Sequence, residues 1–98
     1  MKVRLARSAK ADLSAIADWI GEDNPQRAAS FVRELYERCM SLAHRPKRFP
    51  VARHVESVAV RKLSHRDYLI FYAVLDDQVE IIHIIHGARD WAALFARD

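Results

Sequence analysis

The segment IIHIIHGARDW, residues 81–91, places two histidines, a glycine and an arginine at the end of an apolar run. Imidazoles change charge near neutral pH, so they carry protons or bind metals. A nearby arginine offers a planar fork for phosphate or carboxylate. Spacing decides among these chemistries. On a strand, side chains alternate faces, which sends His83 and His86 to opposite sides. A chelating pair wants i and i+2 on a strand, or i and i+4 on a helix. No metal site is expected on this pair, and no cofactor is called for. Arg61, entering the run VAVRKL, and Glu80, the only carboxylate in the run 79–86, complete the candidates for acid, base or phosphate contact.

These residues depend on short elements for their positions. KVRLA alternates Val3 and Leu5 against Lys2 and Arg4, a strand with one wet face. Ser8 is expected to cap a first helix, with Asp12 near its first turn. Leu13, Ile16, Ala17 and Ile20 follow at helical spacing, and Gly21 can end the helix. Asn24 and Pro25 then start a second helix whose stripe is Ala28, Phe31, Val32, Leu35, Cys39 and Leu42. So short a link makes the two an antiparallel hairpin. The stretch HRPKRFPVARHVES is broken twice by proline and reads as an irregular crossing. Three strands are expected after it: VAVRKL, YLIFYAVL and VEIIHIIH, joined by turns at SHRD and DDQ. RDWAALFARD closes the chain as a short amphipathic helix with Trp91, Leu94 and Phe95 for docking. Trp19 and Trp91 are expected to pack between elements. The order is β-α-α-β-β-β, an α+β two-layer fold with the helical hairpin on a mainly antiparallel sheet.

One consequence bears on function. Residues 68–75 are apolar at every position, so both faces of that strand want cover, and one helical hairpin covers only one. The other face is expected to be a binding face, with the C-terminal helix folding back over it as the alternative.

Composition sets the outer bounds. Residues 1–98 are expected to form one domain, 51% hydrophobic and 30% charged, an ordinary globular composition. No run is long enough to span a bilayer and the N-terminus has no apolar signal core, so no membrane partner is expected. The single cysteine, Cys39, excludes an internal disulfide, fits a cytoplasmic location and reads as a small apolar helix residue. Net charge is +3, yet no acidic residue occurs between Arg38 and Val55, where Arg38, Arg45, Lys47, Arg48 and Arg53 cluster. Contact with phosphate or an acidic protein surface, and a merely solvated loop, both fit that run.

The run VRKLSHRDYLIFYAVLDDQVEIIHIIHGARD after a helical hairpin resembles the ParE branch of the RelE/ParE toxins of bacterial type II toxin–antitoxin systems. SAKADLSAIADWI in the first helix, Arg61 entering the sheet, the aromatic IFY and the terminal HGARD all share in the resemblance. It implies a cytoplasmic toxin in a hetero-oligomer with a cognate antitoxin whose C-terminal segment wraps it. DNA would be met only indirectly, through the antitoxin. ParE-type relatives poison DNA gyrase by binding, without chemistry of their own. RelE-type relatives cut mRNA on the ribosome, which needs a base, an acid and cations around one phosphate. Here Gly87 follows His86, no tyrosine lies beyond Tyr72, and His83 stands where many relatives have an arginine. The gyrase reading is therefore preferred and no catalytic residue is assigned. If the chain is instead a ribonuclease, Arg61, His83 and His86 are the candidates. A degenerate module that only binds antitoxin is the third reading. The partner-binding candidates are Arg61, His83, His86, Arg89, Trp91, Leu94 and Phe95.

Overall fold

Apolar residues recurring three and four apart give two helices, as read. In the computed structural model, which describes residues 1–95, α1 spans Arg7–Gly21 and α2 spans Pro25–Met40. The Asn24 side chain accepts from the Arg27 N–H at 3.0 Å and Pro25 takes the first helical position, where a missing N–H costs nothing. The stripe Phe31, Leu35 and Cys39 is buried, and a 3₁₀ turn at Ser41–Ala43 carries Leu42 into the same core.

The sheet has five strands: β1 (Lys2–Leu5), β2 (Val51–Val55), β3 (Val58–His65), β4 (Tyr68–Val74) and β5 (Gln78–His86). Their order is β1-β5-β4-β3-β2, with β1 parallel to β5 and every other pair antiparallel. The fold class is the α+β one expected, with one strand more. β2 lies inside the stretch read as an irregular crossing. Pro50 stands just outside it, and the turn into β3 holds both Glu56 and Ser57 at positive φ without glycine or asparagine. Positive φ at two successive central residues is the backbone of the tight hairpin turns whose twist suits antiparallel strands.

Ser8 does not cap α1. The helix starts from Ala6 with no side-chain cap, and the Ser8 hydroxyl donates instead to the Ile82 carbonyl at 2.6 Å. The reason is a bulge in β5. Phe71 pairs with His83 and Tyr72 with Ile81, which leaves Ile82 without a partner on β4. Asp12, one helical turn after Ser8, accepts the Ile84 N–H at 2.9 Å. Helix α1 thus satisfies the polar groups that the bulge releases.

Alternation along the strands sorts their side chains into two cores. Leu63, Ile70, Tyr72, Val79, Ile81 and Ile84 meet the two helices. Val60, Phe71 and Ile85 point the other way and meet Phe95. The tail therefore covers the second face with a 3₁₀ turn, Trp91–Phe95, so the face expected to be open for binding is closed within the chain by the alternative cover. Phe71 packs against a tilted Trp91 ring and edge-to-face against Phe95, at 5.0 and 5.2 Å between ring centroids. The Lys62 ammonium sits 5.1 Å over the Trp91 ring, and Arg53 donates to the Ala92 carbonyl at 3.3 Å. Residues 96–98 of the expected terminal helix lie outside the described residues. Trp19, expected between elements, is 70% exposed, because the first helix turns only its Ile16 side into the core.

Candidate functional site

Strand parity sends His83 and His86 to opposite faces, and the bulge preserves that outcome by adding one residue before His83. The His83 ring stands 5.9 Å from Phe95 on the tail side, while the His86 ring stands 5.2 Å from Tyr68 on the helix side. His86 Nδ1 accepts from the Ala88 N–H at 3.0 Å, which folds the chain back just beyond β5. Gly87 sits where a side chain would be a tight fit. Its N–H donates to the Asp67 carbonyl at 2.7 Å, and a Cβ there would lie 3.2 Å from that same oxygen.

Arg61 faces away from Val60, as its parity required. Its guanidinium donates to the carbonyls of Lys47 and Phe49 at 3.1 and 2.7 Å. The Tyr72 hydroxyl donates to the Pro46 carbonyl at 2.5 Å. Burial pushes the Tyr72 phenol up, with the Arg61 and Arg48 charges pulling the other way. Together the two side chains hold the segment 46–49 while leaving Arg45, Lys47 and Arg48 exposed. Arg45 takes a left-handed conformation, φ 46°, at the entry to that segment.

Reading the sequence missed a pair. Asp12 Oδ2 lies 2.8 Å from His83 Nδ1 and accepts the Ile84 N–H as well. A carboxylate at Nδ1 fixes the tautomer and leaves Nε2 as the free nitrogen. The partners are 71 residues apart, so only the helical phasing of Ser8 and Asp12 hinted at a shared face. A second unforeseen cluster surrounds Glu34. Arg27 bonds its carboxylate at 2.7 Å and His65 at 3.1 Å. Those hydrogen bonds, Arg27's first, lower the Glu34 pKa to about 2. Cys39 is fully buried and its thiol is pushed up to about 12, the behaviour of a packing residue.

Beside a small groove of about 270 Å³ next to Phe95, lined by Val58, Leu75 and Ile82, two larger open grooves stand out. One, of about 410 Å³, runs along the end of β5 between Trp19, Tyr68, His86 and Arg89. The other, of about 900 Å³, follows β1 and the helices beside it. Arg61, His83 and His86 do not converge on either. Arg61 pairs with Tyr72 and His86 with Tyr68, an offset of about 13 Å along the strand and about 10 Å across two strands. His83 and the aromatic tail residues belong to the opposite face. Among the described residues, no group of three His, Cys, Asp or Glu side chains could hold a metal ion, and no helix is long and apolar enough to cross a membrane.

Residues 3–91 match the model of the ParE toxin of type II toxin–antitoxin systems, parDE, and the chain belongs to that family. It is a toxin of a type II toxin–antitoxin system in the RelE/ParE superfamily. Toxin RelE2 of Caulobacter vibrioides is 38% identical over 82 residues, which cover 83% of this chain and 89% of that protein. Among solved structures, the chromosomal ParDE toxin–antitoxin system from P. aeruginosa superposes with a TM-score of 0.75 at 25% identity, covering 88% of this chain and 95% of that one. The toxin–antitoxin complex RelBE2 from Mycobacterium tuberculosis gives 0.62 at 21% identity, over 90% and 92% of the two chains, a likeness of fold. Both structures are of toxin–antitoxin systems.

Proposed function

We propose that this toxin acts by binding DNA gyrase and holding it on cleaved DNA, with no bond-making chemistry of its own, and that a cognate antitoxin neutralises it in the cytoplasm. The observation that carries this reading is the dispersal of the candidate catalytic set Arg61, His83 and His86. A ribonuclease needs a base, an acid and cations within reach of one phosphate. Here Arg61 is engaged with backbone carbonyls, His86 stands at the far end of the same face, and His83 lies on the other. A binding toxin has no such requirement. Of the partner-binding candidates, His86 and Arg89 line the groove beside Trp19. Trp91, Leu94 and Phe95 form the tail cover, and Arg61 holds the basic segment 46–49 in place.

Ribosome-dependent cleavage of mRNA is the second reading, favoured by one observation. The Asp12–His83 pair presents an oriented imidazole, the form a general base takes. The test is gyrase supercoiling with antitoxin-free protein, with cleaved DNA read on the same gel. Inhibition with accumulation of cleaved DNA is the expected result. Unimpaired supercoiling by folded protein would remove gyrase as the target and move the assay to translating ribosomes.

A further inference from the structure

We propose that the basic segment between α2 and β2 grips the phosphate backbone of duplex DNA directly. The inference rests on the gyrase reading above and says how the toxin holds the cleaved DNA as well as the enzyme. It departs from the expectation that DNA is met only through the antitoxin. Three features of residues 41–50 point to a duplex.

The first is charge without counter-charge. His44, Arg45, Lys47 and Arg48 are all exposed, and no acidic residue occurs between Arg38 and Val55. Among the described residues, no carboxylate forms an ion pair with Arg38, Arg45, Lys47 or Arg48. Elsewhere the cations have partners: Arg27 and Arg66 face Glu34, and Arg4 faces Glu80. Cations gathered without carboxylates favour a polyanion, whose condensed counterions are released on binding.

The second is rigidity. Two side chains of the sheet brace the backbone of the segment. The Tyr72 side chain is fully buried and its hydroxyl donates to the Pro46 carbonyl, while the Arg61 guanidinium donates to the carbonyls of Lys47 and Phe49. Arg48 folds back to donate to the carbonyls of His44 and Arg45. Arg45 holds a left-handed backbone, φ 46°, a conformation that suits Gly and Asn better. A loop that is merely solvated needs neither a buried tyrosine nor a strained residue to fix its shape. Cations already held in place lose less freedom when they meet a regular array of phosphates.

The third is what the segment lacks. Leu42 is buried and Phe49 half-buried, so Pro50 is its only exposed apolar residue. An acidic protein docks around an apolar centre, and none is offered here. Single-stranded nucleic acid is gripped by exposed rings that stack on bases. The Phe49 ring instead carries the guanidiniums of Arg48 and Arg38 over it, at 4.8 and 5.5 Å, and His44 is the only exposed ring of the segment. A duplex hides its bases and presents phosphates, which is what a rigid set of cations can meet.

The test titrates the full, antitoxin-free chain into a short labelled DNA duplex at several salt concentrations, with a single RNA strand of equal length in parallel. Arg45→Asn with Lys47→Gln removes two charges, and asparagine tolerates the left-handed backbone. Arg45→Lys with Lys47→Arg keeps the charges. Arg7→Gln with Lys10→Gln removes the same charge from exposed positions of α1. Thermal melts confirm that each variant folds. Neutralising the segment is expected to weaken duplex binding about tenfold and to lower the salt slope by about 2. The charge-keeping and α1 variants are expected to stay within about twofold of the natural sequence. With gyrase, the neutralised variant is expected to co-sediment as the natural sequence does without DNA, yet to need about tenfold more protein to accumulate cleaved DNA. Duplex affinity that survives neutralisation, or falls equally in the α1 variant, would overturn the segment as the seat. An equal fall in the charge-keeping variant would show that loop shape, not charge, carries binding and would sink the phosphate grip. Tighter binding to the RNA strand, lost on neutralisation, would reject duplex DNA as the partner. Cleaved DNA that still accumulates in any of these cases leaves the gyrase reading intact. Unimpaired supercoiling with the natural sequence removes that reading instead, and the duplex titration then decides the contact by itself.

Discussion

The two faces of the sheet are covered by very different means. Beneath one, a hairpin of two helices and the turn after it bury Phe31, Leu35, Cys39 and Leu42 against the strands, each below a tenth exposed. Over the other, a single 3₁₀ turn lays Trp91 and Phe95 across Phe71, with Leu94 partly buried beside them. The helical face is a scaffold whose loss is global unfolding. Among the described residues the tail face is held by a few aromatic contacts, one cation over a ring and one hydrogen bond to the sheet, so it is expected to open before the rest. The difference locates the conditional part of the molecule at its C-terminal end.

Truncation on the two faces separates them most sharply. Leu35→Ala, fully buried among the helices, is expected to lower the unfolding free energy by about 2–5 kcal/mol in urea titration. Phe95→Ala is expected to cost less, about 2 kcal/mol at most, since the turn undocks once its aromatic contacts weaken. Equal losses would mean that the tail folds as one unit with the scaffold. Native-state hydrogen exchange sharpens the same contrast. The Ile70 and Tyr72 amides on the central strand β4 should exchange only through global opening, and that of Ala93, bonded to Asp90 in the tail, orders of magnitude faster.

Between the faces lies the stitch at the bulge. Asp12→Ala leaves the Ile84 N–H without its acceptor and releases His83, at an expected cost of about 1–3 kcal/mol. Ser8→Ala removes one bond to the Ile82 carbonyl and should cost about 1 kcal/mol. A smaller loss for Asp12 than for Ser8 would contradict the stitch.

The gentlest effect is set by pH on the helical side. The Glu34 carboxyl, with its pKa lowered from 4.5 to about 2, is stabilised in the folded state as the charged form. That contribution is fully present above about 4.5 and is lost as pH falls towards about 2. Glu34→Gln should flatten the stability profile across that window. An unchanged acid profile would mean that Arg27 and His65 do not hold the carboxylate in solution.

Much of this contrast was legible in the residues, for identifiable reasons. The stripe from Ala28 to Leu42 repeats at 3.6 residues and has one packing solution, so the hairpin follows from spacing alone. The continuous apolar run at 68–75 showed that both faces want cover, but the second was expected to be a binding face, because parity cannot tell a partner from the chain's own tail. β2 was hidden because its hairpin turn uses Glu56 and Ser57, residues that seldom adopt positive φ, between segments marked by proline. The exposure of Trp19 was hidden because periodicity ranks the faces of a helix without marking where its cover stops. As for the candidate site, the opposed facing of His83 and His86 and the outward turn of Arg61 from Val60 followed from alternation. The anchoring of Arg61 to the carbonyls of Lys47 and Phe49 did not, nor did Asp12 beside His83, because both join segments that only the completed fold brings together.

On the proposed reading this toxin works by binding gyrase. The most direct test of that reading is to induce the chain in cells without antitoxin, recover covalent gyrase–DNA adducts, and map mRNA 5′ ends from the same culture. Adducts are expected to accumulate with induction while mRNA ends stay as in uninduced cells. New mRNA ends at ribosome-occupied codons, with no adducts, would contradict it and give the Asp12–His83 pair a catalytic part.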